Sequence, residues 1–317
     1  MEIQLTSTTA ATGAAAVTAR DMTRQTGLAR SVILVRALIA LCKPRIGLAI
    51  ALSAVAGAVV AGDGRLGIGP LLVLALAVLL ASFGAAGFNH YLERDLDRRM
   101  RRTRQRPFAS GLLQASPLWT LLFSALIAIG SGIALAAFGV PAALFVLAGA
   151  LTYVLVYTVW LKPASDFNIV IGGAAGSWAV LAGAAAGGAL GEPAVIWLAL
   201  VLFLWTPSHF WPLSIALTED YRAAGLPMLP VTRGPRVAAR WIMINALLLL
   251  LATGGLGWAL GSPLFWLLAL TGAGWLLVTC LDLLRDPVAA RAMTAFFASL
   301  VQLGLLLTGI FLNAAVG

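Results

Sequence analysis

The sequence predicts an all-α polytopic membrane protein of about nine transmembrane helices with a cytoplasmic N-terminus. Three observations predict it. Hydrophobic residues make up 61% of the 317 and charged residues 10%, against about half and a quarter in a soluble domain, so the chain has too little polar surface to cover itself. Its apolar residues arrive in runs of about 20, enough at 1.5 Å per helical residue to cross a hydrocarbon layer roughly 30 Å thick. Its basic residues fall almost entirely on one side of the resulting spans, the side on which Lys and Arg are retained in the cytoplasm.

Residues 1–30 are rich in Ala, Thr and Ser. They lack an apolar stretch of signal-peptide length and read as a flexible cytoplasmic tail, with Glu2 and Asp21 weighing against the alternative of a transit peptide. Residues 31–317 read as one membrane domain. Its spans fall near 46–62, 70–92, 117–137, 141–161, 168–189, 193–216, 238–260, 262–284 and 293–314. Nine spans place the termini on opposite sides. Twenty of the 21 basic residues, from Arg20 to Arg291, then lie on one side, and Arg65 alone falls in an opposite loop. A wrong number of spans would scatter these charges, so their segregation supports the count as well as the orientation.

A net charge of +9 is accounted for by basic loops beside membrane spans and anionic headgroups, and makes no case for nucleic acid. Cys42 and Cys280 stand far apart in or near apolar segments, without metal-ligand or redox spacing.

The external turns around Gly139, Gly191 and Gly261 are short, whereas the connections 93–116 and 217–237 are long and carry most of the functional groups. Ionisable residues at membrane depth are expensive and mark sites, which gives weight to FNHYLERDLDRRMRRTRQRP (88–107) at the end of the second span. Asn89, Glu93 and Asp97 recur every four residues and lie within about 80° of one another on a helix. Hard oxygens so spaced suit Mg²⁺, which takes one or two carboxylates and completes its shell from water and a substrate phosphate. Asp95 points elsewhere in an unbroken helix, although a helix end could return it. Arg94, Arg98, Arg101, Arg102 and Arg106 offer planar donors for diphosphate oxygens. The plain alternative is a solvated helix end whose carboxylates pair with neighbouring arginines. The triad begins inside an apolar span, which favours the site.

A second cluster follows the sixth span. Pro207 and Pro212 interrupt helix geometry near His209, as expected of a cavity wall. Glu219, Asp220, Tyr221 and Arg222 then enter a loop stiffened by Gly225, Pro227, Pro230 and Pro235. His209 alone reads more readily as a satisfied buried histidine, and Trp205, Phe210 and Trp211 read equally as cavity wall or as interfacial anchors. Lys43 and Arg45 open the first span, and Tyr153, Tyr157 and Lys162 close the fourth. Snorkelling bases and belt tyrosines look the same. The comparable spacing of Lys43 and Lys162, and of the two polar clusters, hints at an internal repeat.

The stretch NHYLERDLDRRMRRTRQRP resembles the aspartate-rich first motif of the UbiA-type intramembrane prenyltransferases. HFWPLSIALTEDYRAAGLPMLPVTRG (209–234) is similar to the second cytoplasmic motif of the branch that uses heme as acceptor, and KPR (43–45), YTVWLK (157–162) and NIVIGGAAG (168–176) fit it. The resemblance covers residues 40 to 315. It implies nine helices around a central cavity open to the membrane for an isoprenoid. Asn89, Glu93 and Asp97 would bind Mg²⁺, with Mn²⁺ the alternative, and farnesyl diphosphate; Asp95 would support them and Asp220 supply the second acidic contribution. Substrate contacts would extend to Lys43, Arg45, Arg94, Arg98, Arg102, Arg106, Tyr153, Tyr157, Lys162, His209, Tyr221 and Arg233. Tyr91, Tyr153, Phe210 and Trp211 are candidates to face a farnesyl cation.

The implied reaction adds the farnesyl group and water to a vinyl group of heme B, giving heme O and diphosphate. The implied setting is a bacterial inner membrane, with the mitochondrial one as alternative and heme A synthase as a partner. A quinone acceptor is the nearest rival, and an ion-coupled transporter or a passive assembly protein the rivals from other classes. Two stretches depart from the family pattern: PASDFN (163–168) has fewer basic and hydroxyl residues than usual, and SWAVLAG (177–183) replaces a proline-containing segment.

Overall fold

The computed structural model describes residues 27–62 and 66–316, with side chains from residue 31. Arg65 and residues 1–26 of the expected tail lie outside the described residues. Among those described, nine helices are long and apolar enough to cross a membrane, and all regular structure is helical. Leu72, Leu251 and Trp258 expose more than half of their surface, as lipid-facing side chains do.

The first span differs from the expectation. Helix α1 (Gly27–Cys42) already includes residues 27–30 and joins α2 (Pro44–Ala61) through Lys43, which takes a left-handed conformation with φ 46° and ψ 57°. Pro44 explains the break, because its ring disfavours the right-handed helical conformation in the residue before it. The apolar segment therefore reaches back to at least Ser31, well before 46, and carries Lys43 at a bend.

The other eight spans match the expectation to within a few residues. They are α3 (Ile68–Leu92), α5 (Pro117–Phe138), the run from α6 (Val140–Leu151) to Ala164, the pair α7 (Asn168–Gly172) and α8 (Ala174–Gly187), α9 (Pro193–Ala216), α12 (Pro235–Leu260), α13 (Pro263–Arg285) and α14 (Ala289–Val316). Between them lie three short helices at one end of the bundle: α4 (Arg94–Arg99), α10 (Thr218–Ala223) and α11 (Leu229–Arg233).

Two departures from regular geometry matter for the site. Residues Thr152–Leu161 continue α6 as a π-helix, and Lys162 N–H bonds back to Tyr157 O. The widened turn lets residues four and five apart share a face, which aligns Tyr153, Tyr157, Thr158 and Lys162. Helix α9 passes through Pro207 and Pro212 without the expected interruption. Asn245 of α12 buttresses that region, donating to Leu204 O (2.5 Å) and Ser208 Oγ (2.7 Å).

Lipid-embedded helices gain little from expelling water and associate by close packing of small residues. Between α2 and α8, a Cβ added to Gly183 would lie 1.8 Å from Ala54 O, and one on Gly57 2.2 Å from Val180 O. Between α3 and α5, Gly84 and Gly130 allow the same approach against Phe123 and Ala77. Gly183→Val is expected to destabilise the bundle by about 1–3 kcal/mol, read as a lower melting midpoint in detergent. Gly132→Ala, on an exposed face with open space around it, should leave the midpoint unchanged or raise it.

Candidate active site

The last turn of α3 and the short α4 build one row of oxygens. Glu93 bends the chain between them (φ −88°, ψ 5°), yet Glu93 N–H still bonds to Asn89 O (3.0 Å) and Asp97 N–H to Glu93 O (2.8 Å). The four-residue repeat survives the bend. Asn89, Glu93 and Asp97 therefore share a face as their spacing predicts, and all three are buried, with 3% exposure or less.

A buried carboxylate must be paired. Lys162 Nζ donates to Glu93 Oε1 (2.5 Å), Arg106 Nη1 to both oxygens of Asp97 (3.0 Å each), and Lys43 Nζ to Asn89 Oδ1 (2.6 Å) and Tyr153 Oη (3.3 Å). Asn89 Nδ2 donates to Thr158 Oγ1 (3.2 Å). Tyr153 and Tyr157 stack at 5.7 Å, with the Lys43 and Lys162 ammonium groups 5.8 and 6.0 Å from their respective rings. Burial pushes the Asp97 carboxyl above the usual carboxylate range, while the charge and hydrogen bonds of Arg106 oppose the push.

The second loop closes over this row. Asp220 accepts from Arg102 N–H (3.2 Å) and lies 3.7 Å from Arg101. Met100 packs with Tyr221, Ala224, Leu226 and Met228 in one buried apolar cluster. Burial raises the Tyr221 phenol, opposed by Arg102. Beneath the polar row, an apolar cavity opens between α2, α3, α6 and α8, with Lys43 and Tyr153 in its wall together with Ile50, Val78 and Phe145.

The structure thus gathers Lys43, Asn89, Glu93, Asp97, Arg106, Tyr153, Tyr157 and Lys162, with Arg102, Asp220 and Tyr221 above them. Other candidates stay apart. Asp95 is 65% exposed and pairs with Arg98 (2.9 Å); the bend at Glu93 does not return it. Arg94 bonds Tyr91 O and lies over its ring, Arg98 also holds Ala109 O, and Arg45 is exposed. Arg233 is committed to Asp166 (2.6 Å) and Phe167. His209 lies between Trp205 and Phe296 and bonds Ser299 Oγ (2.8 Å), joining α9 to α14.

Sequence reasoning missed Thr158, the partner of Asn89, and Asp166, which sits in the divergent PASDFN stretch and ties it to Thr232 and Arg233. A threonine in an apolar run carries no signal of its own. An aspartate amid a departure from the family pattern was the available clue.

Two carboxylates and an amide oxygen on successive turns fit a hard divalent cation. Among the described residues no three or more His, Cys, Asp and Glu come together to hold a metal, so this donor set suits an ion that completes its shell from a substrate phosphate.

The UbiA prenyltransferase family profile matches residues 50–302. The chain belongs to that family. It is therefore a transferase and a multi-pass membrane protein. Protoheme IX farnesyltransferase 2 of Paramagnetospirillum magneticum is 47% identical over 273 residues, 86% of this chain and 94% of the relative. Protoheme IX farnesyltransferase of Symbiobacterium thermophilum is 42% identical over 225 residues, 71% of this chain and 74% of that one. Among solved UbiA-fold structures, one described for digeranylgeranylglyceryl phosphate synthase has a TM-score of 0.73 at 16% identity, covering 89% of this chain and 99% of the other. A UbiA homolog from Archaeoglobus fulgidus bound to GPP and Mg²⁺ has a TM-score of 0.63 at 17% identity, covering 87% and 99%. These structures share the fold.

Removing one partner of a buried ion pair strands the other. Lys162→Met is expected to destabilise the protein by about 3–5 kcal/mol, and the double variant Lys162→Met, Glu93→Leu to recover part of the loss in the same thermal melt. Equal melting of the single variant and the parent would show that Glu93 does not depend on Lys162.

Proposed function

We propose that the protein transfers the farnesyl group of farnesyl diphosphate to a vinyl group of heme B, with addition of water, to make heme O and diphosphate. The observation that carries the reading is the junction of two environments: a buried row of oxygens and cations directly above an apolar cavity. A prenyl diphosphate has that polarity. The named relatives support heme as acceptor.

Asn89, Glu93 and Asp97 would hold Mg²⁺, or Mn²⁺ in its place; bound there, the ion supplies charge that stabilises the leaving diphosphate. Arg106 and Lys162 would turn from the carboxylates, and Lys43 from Asn89 and Tyr153, to the diphosphate oxygens, so that the cations need not leave their burial. Arg102, Asp220 and Tyr221 would cover the site and exclude water from the diphosphate. The allylic C–O bond breaks with both electrons going to diphosphate. Tyr153, beside Lys43 at the cavity, presents a ring face to the farnesyl cation. The terminal vinyl carbon attacks that cation, the positive charge moves to the carbon beside the pyrrole, and water adds there with loss of a proton.

In this reading residues 31–317 form the catalytic domain, with residues 27–30 joining it as the first turn of α1. The active face is cytoplasmic, since the basic ends of the spans carry the site. The membrane is a bacterial inner membrane, and heme A synthase would take up the product. Asp95, Arg45, Arg233 and His209 are assigned no contact with the diphosphate.

Purified protein in detergent, incubated with heme B, farnesyl diphosphate and Mg²⁺, is expected to yield heme O by mass spectrometry, and none after chelation. Asp97→Asn should reduce turnover by about 100-fold or more, whereas Asp95→Asn retains most of it. Consumption of farnesyl diphosphate without a farnesylated heme would move the acceptor to a quinone or another aromatic.

A further inference from the structure

His90 follows Asn89 in the last turn of α3 and has no part in the reaction outlined above. Its side chain is only 4% exposed, and among the described residues neither ring nitrogen has a hydrogen-bond partner. An imidazole always carries at least one N–H donor, whichever its protonation state. Leaving such a group buried without a partner costs about 1–3 kcal/mol. Packing alone gives no reason to keep it, since an apolar side chain of similar shape would avoid that cost.

Its surroundings indicate what the donor faces. Its chain neighbour Asn89 accepts from Lys43, and Glu93 and Asp97 on the following turns are held by Lys162 and Arg106. Glu93 lies one turn further along the chain, and Ala86, one turn back, lines the apolar cavity. His90 thus stands at the boundary between the polar row and the cavity. The three cations Lys43, Arg106 and Lys162 face only two carboxylates, Glu93 and Asp97, so the row carries an excess positive charge in a low-dielectric setting. An N–H donor beside two cations there is matched by an anion. Gln302 is also buried without partners for its amide, but it packs on Gly272 between α13 and α14, among apolar neighbours that favour no anion.

We propose that His90 contacts the substrate, donating a hydrogen bond from its ring to a diphosphate oxygen held by Lys43 and Arg106. The proposal rests on the prenyl-diphosphate reading of the site and adds a recognition residue to it. The bond fixes the diphosphate at the cavity mouth, where the allylic carbon enters the apolar space.

The test is binding of inorganic diphosphate with Mg²⁺ to the full chain in detergent, by titration calorimetry, alongside thermal melting without ligand. His90→Leu removes the donor and His90→Asn keeps one. A hydrogen bond to a charged group predicts that His90→Leu weakens binding by roughly tenfold to a hundredfold. Its ligand-free midpoint should be no lower than that of the parent, and His90→Asn should recover part of the affinity. Unchanged affinity in His90→Leu would overturn the proposal and leave His90 to an ordered water. Equal weakening in both variants would overturn it too, because the donor would then not be what binds. Failure of the parent itself to bind diphosphate would instead remove the prenyl-diphosphate reading, and this inference with it.

Discussion

Charges at membrane depth must be neutralised within the protein, and this requirement organises the molecule around the end of α3. Glu93 and Asp97 are almost wholly buried, where an unpaired carboxylate would cost far more than a folded chain can spare. Each backbone irregularity near them serves their pairing. The left-handed Lys43 ahead of Pro44 sets an ammonium beside Asn89, and the π-helix aligns Lys162 with Glu93 and Thr158 with Asn89. Beyond α4, Thr103 Oγ1 bonds Asp97 O as the chain turns back, and Arg106 then reaches Asp97.

These pairs are not an end in themselves. Buried ion pairs seldom exceed well-packed apolar residues in stability, so a bundle selected for stability alone has little reason to hold one. Three cations against two carboxylates leave positive charge unspent above an apolar cavity, which is the polarity of an anionic head on a hydrocarbon tail. The loop from α9 shields this arrangement through Asp220 and the Met100–Tyr221 cluster, keeping the dielectric low where electrostatic stabilisation is strongest.

The rest of the bundle supplies rigidity. Glycines let α2 meet α8 and α3 meet α5 at backbone distance, and Asn245 ties α12 to the proline-containing stretch of α9. The His209 stack belongs to this framework, fastening α9 to α14 through Ser299. Arg233 likewise serves a fastening, because Asp166 holds it against the fourth span's loop.

By itself the sequence determined eight of the nine spans and the carboxylate row, because these follow from local periods: about 20 apolar residues for a crossing and four residues for one helix face. It also exposed Asp95, which the same period turns away from the row. The first span escaped it, since a helix broken by Lys43 and Pro44 leaves cationic residues within an apolar run. Only the tertiary structure decided which distant groups meet. Lys43 reaches Asn89 across 46 residues, Lys162 reaches Glu93 across 69, and Arg102 reaches Asp220 across 118. Among many arginines of equal charge and reach, selection of Arg106 for Asp97 and Arg233 for Asp166 depends on where the packed helices bring the loops, and no local pattern encodes that.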